Sequence, residues 1–315
     1  MKKEVMLVSI LLVSIFLSSC GNQIAGGEKA VDTTTALKQV QTGTQGLQMK
    51  FLSNYPPANL YDTTEFFAVA EVWNKGNYDF KPGDCFVSLT GYDKNILRGI
   101  YNRQSCVSGS NLQGKKLHNL KGSFNQIEFK SSTIALPPGV NEYNPTLNLV
   151  SCYEYKTLAT PMVCVENSLY QVTSKQKSCM VRDITGAGGN GGPVGVKYVD
   201  VEMAGNKAIF SIDIQNYGTG RIVSPLTSLS NCPDTLKYSD FDKVGYAVSL
   251  SGGSLISCKP SDGYVRLNNN QGKILCSFNI GNTQSYQTPL TIKLDYNYMD
   301  SLRKSVRIIK TPGYN

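Results

Sequence analysis

The sequence feature that most constrains the fold is an internal repeat. Residues 67–76, FAVAEVWNKG, align with residues 209–218, IFSIDIQNYG. Residues 147–155, LNLVSCYEY, align with residues 290–298, LTIKLDYNY, and the two offsets are 142 and 143 residues. Two blocks that agree in spacing to within one residue indicate a duplicated unit. A repeat this long predicts two folded domains in series rather than a solenoid.

Both repeated blocks predict β-structure. The first block alternates apolar residues and ends in Asn-x-Gly, where we expect Asn to tolerate left-handed backbone and Gly to supply a positive φ in a turn. The second block ends in Tyr-x-Tyr, which puts two rings on one face of a strand. These rings either pack in the core or at a corner, the commoner role, or form an exposed platform on which a sugar stacks. The motif residues are Asn74, Gly76, Asn216, Gly218, Tyr153, Tyr155, Tyr296 and Tyr298.

The rest of the body also predicts strands. Short runs rich in Val, Ile, Phe, Tyr and Thr, bounded by Gly, Asn, Asp or Pro, recur from residue 47 to residue 309. No segment of twelve or more residues keeps a helical apolar period between helix caps. We therefore expect an all-β protein with two tandem immunoglobulin-like β-sandwich domains, at 46–183 and 194–315. A Gly-rich linker at 184–193 would join them.

The N-terminus, MKKEVMLVSILLVSIFLSSC, is typical of an exported protein. Its apolar stretch at 5–17 follows two lysines and is too short for a bilayer span of ~20 residues. The sequence LSSC before Gly21 resembles the lipobox of prokaryotic lipoproteins, in which the cysteine thiol carries a lipid and the chain is cut just before it. We expect a signal peptide at 1–19, a lipid on Cys20 that anchors the protein to the outer face of the membrane, and a flexible tether at 20–45. The alternative is an ordinary signal peptide with an incidental Cys20.

The eight later cysteines predict disulfides. They contain no Cys-x-x-Cys pair, and a single histidine cannot complete a Cys/His zinc site, so we expect no metal or other cofactor. An even number behind an export signal favours four bridges, although some buried free thiols are an alternative. Two pairs would close local hairpins, a third would close a short loop, and the fourth follows by elimination. The expected pairs are Cys85–Cys106, Cys258–Cys276, Cys164–Cys179 and Cys152–Cys232.

Residues for catalysis are hard to find. The only histidine, His118, lies in a basic, loop-like segment without a nucleophile elbow, so an exposed or half-buried side chain is the simpler interpretation. Glu71 and Asp213 occupy equivalent positions in the repeat and would point away from the apolar face. They would form a glycosidase pair only if a cleft brought the carboxylates within ~5–10 Å.

The net charge of the chain does not distinguish between classes of partner. A net charge of +8, spread along the sequence, does not imply a nucleic-acid partner. Four basic residues near the C-terminus predict either a patch for an anionic polymer or, more commonly, an edge strand charged against sheet-to-sheet aggregation. They are Arg303, Lys304, Arg307 and Lys310.

Six segments spread over about three quarters of the chain carry a resemblance to a known group. They are VWNKGNYD (72–79), LTGYDKNIL (89–97), SCYEYKTLATPMVCV (151–165), GGNGGPVGVKYVDVE (188–202), CSFNIG (276–281) and LTIKLDYNYMDSLRKSVRI (290–308). These segments resemble uncharacterised archaeal cell-surface proteins with CARDB-like, immunoglobulin-like domains. The resemblance implies the fold, an exposed location and disulfides, but no catalytic residues. CARDB-type domains are regarded as adhesive modules or spacers.

Together these features predict a non-enzymatic, lipid-anchored cell-surface protein that acts as a structural or binding module. Its expected partners are the membrane, through the lipid anchor, and a surface protein or a glycan. One alternative is a subunit of a surface assembly, joined through an exposed edge strand. Another is a secreted hydrolase or glycan-processing enzyme.

Overall fold

The computed structural model describes residues 33–167, 177–186, 190–281 and 284–313. Most of these residues lie in β-strands, which confirms the all-β class. The chain divides into two compact units, 1–36 and 37–315, and every strand belongs to the second. The expected signal peptide and Cys20 lie outside the described residues. Within the described ranges, no helix has both the length and the apolar character that crossing a membrane requires.

A short helix lies where the sequence predicts a flexible tether. Helix α1 covers Thr33–Gln41. It forms because this stretch contains Ala, Leu, Lys and Gln, which favour helix, and neither Gly nor Pro. The chain leaves the helix just before Gly43. Two 3₁₀ helices, Leu229–Asn231 and Tyr238–Asp240, occur later in the chain.

The described part of the chain contains strands β1 to β21. In chain order they are β1 (Leu47–Phe51), β2 (Asn59–Tyr61), β3 (Phe67–Asn74), β4 (Cys85–Thr90), β5 (Leu97–Arg98), β6 (Arg103–Ser105), β7 (Phe124–Lys130), β8 (Thr133–Ile134), β9 (Glu142–Tyr143), β10 (Thr146–Ala159), β11 (Met162–Val165), β12 (Ile184–Thr185), β13 (Val194–Ala204), β14 (Lys207–Asn216), β15 (Arg221–Val223), β16 (Lys243–Leu250), β17 (Ser254–Lys259), β18 (Tyr264–Arg266), β19 (Gln271–Asn279), β20 (Tyr286–Ser305) and β21 (Arg307–Ile309).

Three main sheets, called here sheets I, II and III, form the body. Sheet I has the strand order β1-β3-β7, and sheet III has the order β12-β13-β14-β19-β17. Sheet II follows the path β18-β16-β20-β10-β4-β6, and β11 and β15 also pair with β20. Two smaller sheets, β2-β21-β9 and β5-β8, complete the described structure. Buried side chains of sheets I, II and III join one large hydrophobic cluster, so the core is shared by both halves of the repeat.

The two halves of the repeat meet through their longest strands. Strands β10 and β20 pair antiparallel along all fourteen residues of β10, with Tyr153 opposite Tyr298 and Tyr155 opposite Tyr296. Since 153 and 155 are equivalent to 296 and 298 in the repeat, this pairing has approximate two-fold symmetry about residues 154 and 297. The halves are therefore connected by a continuous sheet as well as by the chain. The expected domain boundary at 184–193 stays a prediction.

The structure confirms the four expected disulfides. They are Cys85–Cys106, Cys152–Cys232, Cys164–Cys179 and Cys258–Cys276. Three of them close segments with sequence separations of 15 to 21 residues. The fourth, Cys152–Cys232, has a separation of 80 residues and fastens β10 of the first half to the 3₁₀ region of the second half.

The basic C-terminal residues do not form the single edge strand that the sequence predicts. Arg303 and Lys304 lie at the end of β20, where β20 pairs with β10. Buried Val306 then ends this strand, and the chain moves to another sheet. Arg307 opens β21, which is the middle strand between β2 and β9, and its guanidinium lies 2.5 Å from the carboxylate of Glu142. Among the described strands, β10 alone pairs with residues 300–305 of β20, so Arg303 and Lys304 lie on a strand segment with one unpaired edge, whereas Arg307 lies on a middle strand.

Candidate functional site

The four repeat tyrosines form a cluster at the junction of β10 and β20. Each is at most 2% exposed. The ring centroids of Tyr155 and Tyr296 lie 5.8 Å apart with stacked planes, and those of Tyr153 and Tyr298 lie 5.7 Å apart. Such burial excludes an exposed stacking platform for sugar. The rings belong to the core, and we call them the tyrosine cluster.

The tyrosine hydroxyls hold the backbone of the neighbouring segments. In the first half, Leu47 N donates to Tyr153 Oη at 3.2 Å, and Asn77 N donates to Tyr155 Oη at 2.9 Å. In the second half, Val194 N donates to Tyr296 Oη at 3.1 Å. The first tyrosine of each pair thus holds the start of a strand, β1 in one half and β13 in the other.

Burial raises the pKa of all four tyrosines above the ordinary value for a phenol. The cause is that a phenolate would lose its hydration in the core. The hydroxyls therefore stay protonated at neutral pH and remain able to donate.

The Asn-x-Gly motifs work differently from the expectation. None of the four motif residues has a positive φ. Instead, the side-chain oxygen of Asn74 accepts from Gly76 N at 3.2 Å, and that of Asn216 accepts from Gly218 N at 3.1 Å and from the hydroxyl of Tyr298 at 3.0 Å. A Cβ on either glycine would lie closer than 3.0 Å to a tyrosine hydroxyl. Glycine is needed for this close approach and not for a left-handed turn.

The other candidate residues are not brought together. Glu71 on β3 of sheet I lies 2.7 Å from Lys50 Nζ, and Asp213 on β14 of sheet III lies 3.3 Å from Lys273 Nζ. The hydrogen bond from Lys50 holds the pKa of Glu71 below its usual range. His118 is exposed in a turn. In the described ranges no three His, Cys, Asp or Glu side chains cluster closely enough to hold a metal ion.

A groove of about 290 Å³ opens beside the tyrosine cluster. Its walls come from the segment leading into β1, the turn after β14 and the last part of β20. The lining is about half polar and half apolar, and it contains one carboxylate. The lining residues are Thr44, Gln45, Gly46, Leu47, Gln48, Met49, Tyr153, Pro193, Tyr217, Gly218, Thr219, Tyr298, Asp300, Ser301 and Leu302.

The two halves of the repeat differ at one position beside the groove. Thr157, two residues after the second tyrosine of the first half, is equivalent to Asp300 in the second half. The Thr157 hydroxyl lies 2.9 Å from Tyr296 Oη and donates to Val194 O at 2.8 Å, so both groups are hydrogen-bonded within the protein. At the equivalent position on the other side, Asp300 lines the open groove.

Asp300 is a carboxylate without a cationic partner. It is half-buried, and its oxygens accept from its neighbour Ser301 N at 2.8 Å and from Thr219 Oγ1 at 3.4 Å. Within the described ranges, no lysine or arginine nitrogen lies within ion-pair distance of it. A ligand that enters the groove therefore meets an acceptor whose charge is not neutralised.

Tyr153 contributes an unused donor to the same groove. Its hydroxyl accepts from Leu47 N, but among the described residues no acceptor receives its proton. The other three hydroxyls each have one: Gly191 O for Tyr155, Asn216 Oδ1 for Tyr298, and Thr157 Oγ1 for Tyr296. Tyr153 is 1% exposed, so an unsatisfied O–H at this depth costs ~1–3 kcal/mol unless something enters the groove to accept it.

Sequence reasoning missed this site, although one signal was present. The repeat aligns YEYKT with YNYMD. At the last position of this alignment the first half has a neutral threonine, Thr157, and the second half has a carboxylate, Asp300. Both tyrosines next to the groove were predicted, either as packing residues or as an exposed platform for a sugar, but not as part of a polar groove.

Comparisons with known proteins give no family. No protein-family model and no curated protein matches the chain. One solved structure with some similarity is the secreted serine protease VesC from Vibrio cholerae, at 13% identity over 85% of this chain and 52% of that chain, with a TM-score of 0.20. The chain thus spans about half of that protease chain, and a TM-score this low does not relate the two folds.

Proposed function

We propose that this protein is a non-enzymatic, lipid-anchored cell-surface protein whose body is a binding module. The observation that carries the binding role is the groove beside the tyrosine cluster. There, a carboxylate and a buried hydroxyl face the same space within a β-body held by four disulfides, and among the described residues the carboxylate has no cationic partner and the hydroxyl no acceptor. Uncompensated polar groups on a rigid frame are what a small-ligand site needs for orientation and specificity.

The surface location rests on two features. Four disulfides are typical of a protein that folds outside the reducing cytosol. The N-terminal sequence has the flanks and length of an export signal and ends in a lipobox-like LSSC. The lipid on Cys20 would keep the body at the outer face of the membrane.

A tandem of two immunoglobulin-like sandwiches accounts for the architecture. Each half contributes its own sheet, sheet I or sheet III, and one long strand of sheet II. Each half also carries an Asn-x-Gly turn against its own pair of tyrosines. These matching parts support one sandwich per half, joined edge to edge through β10 and β20.

The non-enzymatic assignment rests on how the carboxylates are placed. Asp300 is the single carboxylate among the lining residues of the groove, whereas glycoside hydrolysis requires two. Glu71 and Asp213 each lie against a lysine and on different sheets. A secreted hydrolase therefore has less support than a binding module.

Intact mass spectrometry of the native protein tests the proposed location. The protein is extracted from its membrane and measured with and without reductant. We expect a chain that begins at Cys20, carries a lipid increment and gains two hydrogens for each of four disulfides. The Cys20→Ser variant should no longer be found in the membrane fraction, and it should still form the four disulfides. A lipid-free native chain cut elsewhere would overturn the lipoprotein assignment.

One observation favours a second candidate, a subunit of a surface assembly. Strand β17 is the last strand of sheet III, and no described strand pairs with its outer edge. Leu255 and Ile256 on this strand are 53% and 49% exposed. A second copy of the chain pairing along β17 would satisfy the backbone groups of this edge.

Light scattering after gel filtration tests this second candidate. If β17 pairs with another copy, the purified protein should be dimeric or larger, and Ile256→Lys should make it monomeric. Leu226→Lys, at an exposed leucine outside any strand, is the matched control and should not change the mass. A monomeric protein at ~100 µM would exclude self-assembly through β17 in the micromolar range.

A further inference from the structure

We infer that the groove binds a neutral, polyhydroxylated ligand, a sugar residue of a glycan, through a ligand hydroxyl placed between Tyr153 and Asp300. This inference rests on the proposed binding function and adds the chemical class of the ligand. It follows from the missing hydrogen-bond acceptor of the Tyr153 hydroxyl and the missing cationic partner of the Asp300 carboxylate among the described residues.

The two side chains require opposite hydrogen-bonding roles from one ligand. Tyr153 has a proton to donate and stays protonated at neutral pH, so the ligand atom near it must carry a free lone pair. Asp300 accepts only, so the ligand must also supply a donor. A hydroxyl group does both. An ammonium group has no lone pair for Tyr153, and a carboxylate or phosphate has no proton for Asp300 and is repelled by its charge.

The remaining lining suits the same ligand class. Gln45 and Gln48 carry side-chain amides that donate and accept, and Thr219 adds a hydroxyl. Tyr217 is half-buried at the groove and offers a ring against which the apolar face of a sugar can pack. Among the described residues that line the groove there is no lysine or arginine, so none of them selects for an anion.

The size of the groove and the chemistry of the repeat set the expected stoichiometry. A volume of about 290 Å³ lies just below the ~300–1,000 Å³ range of small-molecule sites, which fits one sugar unit rather than a long chain. The equivalent position in the other half is Thr157, whose hydroxyl is bonded to Tyr296 Oη and Val194 O, so that half lacks the carboxylate that this ligand would meet. We expect one ligand per chain.

Ligand-observed NMR on the full mature protein in detergent tests the inference. The neutral probes are glucose, galactose, mannose and N-acetylglucosamine, each titrated to ~100 mM because single sugars at small sites bind weakly. Glucosamine and gluconate are the charged counterparts. We expect saturable binding of at least one neutral sugar at one site per chain, and weaker binding of both charged probes.

Three variants locate the binding. Asp300→Asn keeps the shape but removes the charge, and we expect it to weaken sugar binding about tenfold, the effect of losing a hydrogen bond to a charged group. Tyr153→Phe removes the donor and should weaken binding to a similar extent. Asp295→Asn, on the same strand but paired with Lys156 outside the groove, is the matched control and should bind like the wild type.

The outcomes separate this inference from the proposed function. Stronger binding of glucosamine than of any neutral sugar would overturn the ligand class, and so would sugar binding unchanged by Asp300→Asn. If no sugar binds while mass spectrometry finds the anchored surface protein, the ligand class is wrong and the location stands. If sugars bind but the native chain carries no lipid, the ligand class stands and the lipid-anchored location is wrong.

Discussion

Replacing Gly76 with alanine tests how the tyrosine cluster is held together. The added methyl would lie closer than 3.0 Å to Tyr155 Oη and 2.9 Å from Gln45 O. The ring of Tyr155 cannot retreat, because it stacks on Tyr296 and packs against Phe80 with centroids 6.0 Å apart. We therefore expect the turn to move away from the ring.

The cost can be worked from these contacts. Overpacking a well-filled core costs ~1–3 kcal/mol. Movement of the turn also breaks the bonds that Asn77 N donates to Tyr155 Oη and to Gly191 O, at roughly 1 kcal/mol each. The free energy of unfolding should fall by about 3–5 kcal/mol, a large part of the ~5–15 kcal/mol of a typical domain.

Urea unfolding followed by fluorescence of Trp73, the only tryptophan, measures the effect. Gly43→Ala is the matched control, since its Cβ would have ordinary contacts at 3.6 Å or more, and it should change stability by less than ~1 kcal/mol. Combining Gly76→Ala with Tyr155→Phe should cost less than the sum of the single variants, because the phenylalanine lacks the oxygen nearest the methyl. A Gly76→Ala protein as stable as the Gly43→Ala control would refute the reasoning.

Two further predictions follow from the same region. Because the pKa values of the four buried tyrosines are raised in the folded protein, the unfolded chain loses its phenol protons first above pH ~10. The free energy of unfolding should therefore fall above that pH by ~1.4 kcal/mol per pH unit for each tyrosine. Urea unfolding midpoints that stay constant from pH 9 to 11 would contradict this. Replacing both cysteines of one disulfide by alanine should lower the free energy of unfolding by an amount that grows with the loop the bridge closes. The loss should be roughly 4.5 kcal/mol for Cys152–Cys232 and roughly 3.4 kcal/mol for Cys85–Cys106. Equal losses, or a larger loss for Cys85–Cys106, would argue against this ranking.

The sequence predicts well what depends on local pattern. Alternating β-branched and aromatic residues predict the strands, because the side-chain period of two is a property of the backbone. The hairpin disulfides follow from short cysteine spacings. Cys152–Cys232 also agrees, but only by elimination, since nothing local to either cysteine indicates its partner.

Features that depend on how the halves meet were not predictable. The repeat offset is the same whether two units stand in series or pair edge to edge, so the β10–β20 ladder leaves no mark in the spacing. The Asn-x-Gly turns show a related limit. Their glycines are required by tyrosine hydroxyls about 80 residues away in sequence, so a local turn rule assigns them a left-handed backbone that they do not adopt. The groove depends on the same long-range pairing.

The pairing of β10 with β20 also sets an order of events in synthesis and export. Strand β10 is complete about 130 residues before β20 begins. Until then, one edge of fourteen residues has unpaired backbone groups, and nascent chains with such edges readily associate with one another. Strand β20, twenty residues long, then pairs with β10 of the first half and β16 of the second half. Because these contacts are far apart in sequence, folding should be slow and cooperative. A chain interrupted before residue 286 would lack every strand contact that β20 makes, and would be a substrate for chaperones and proteases rather than half of a working protein.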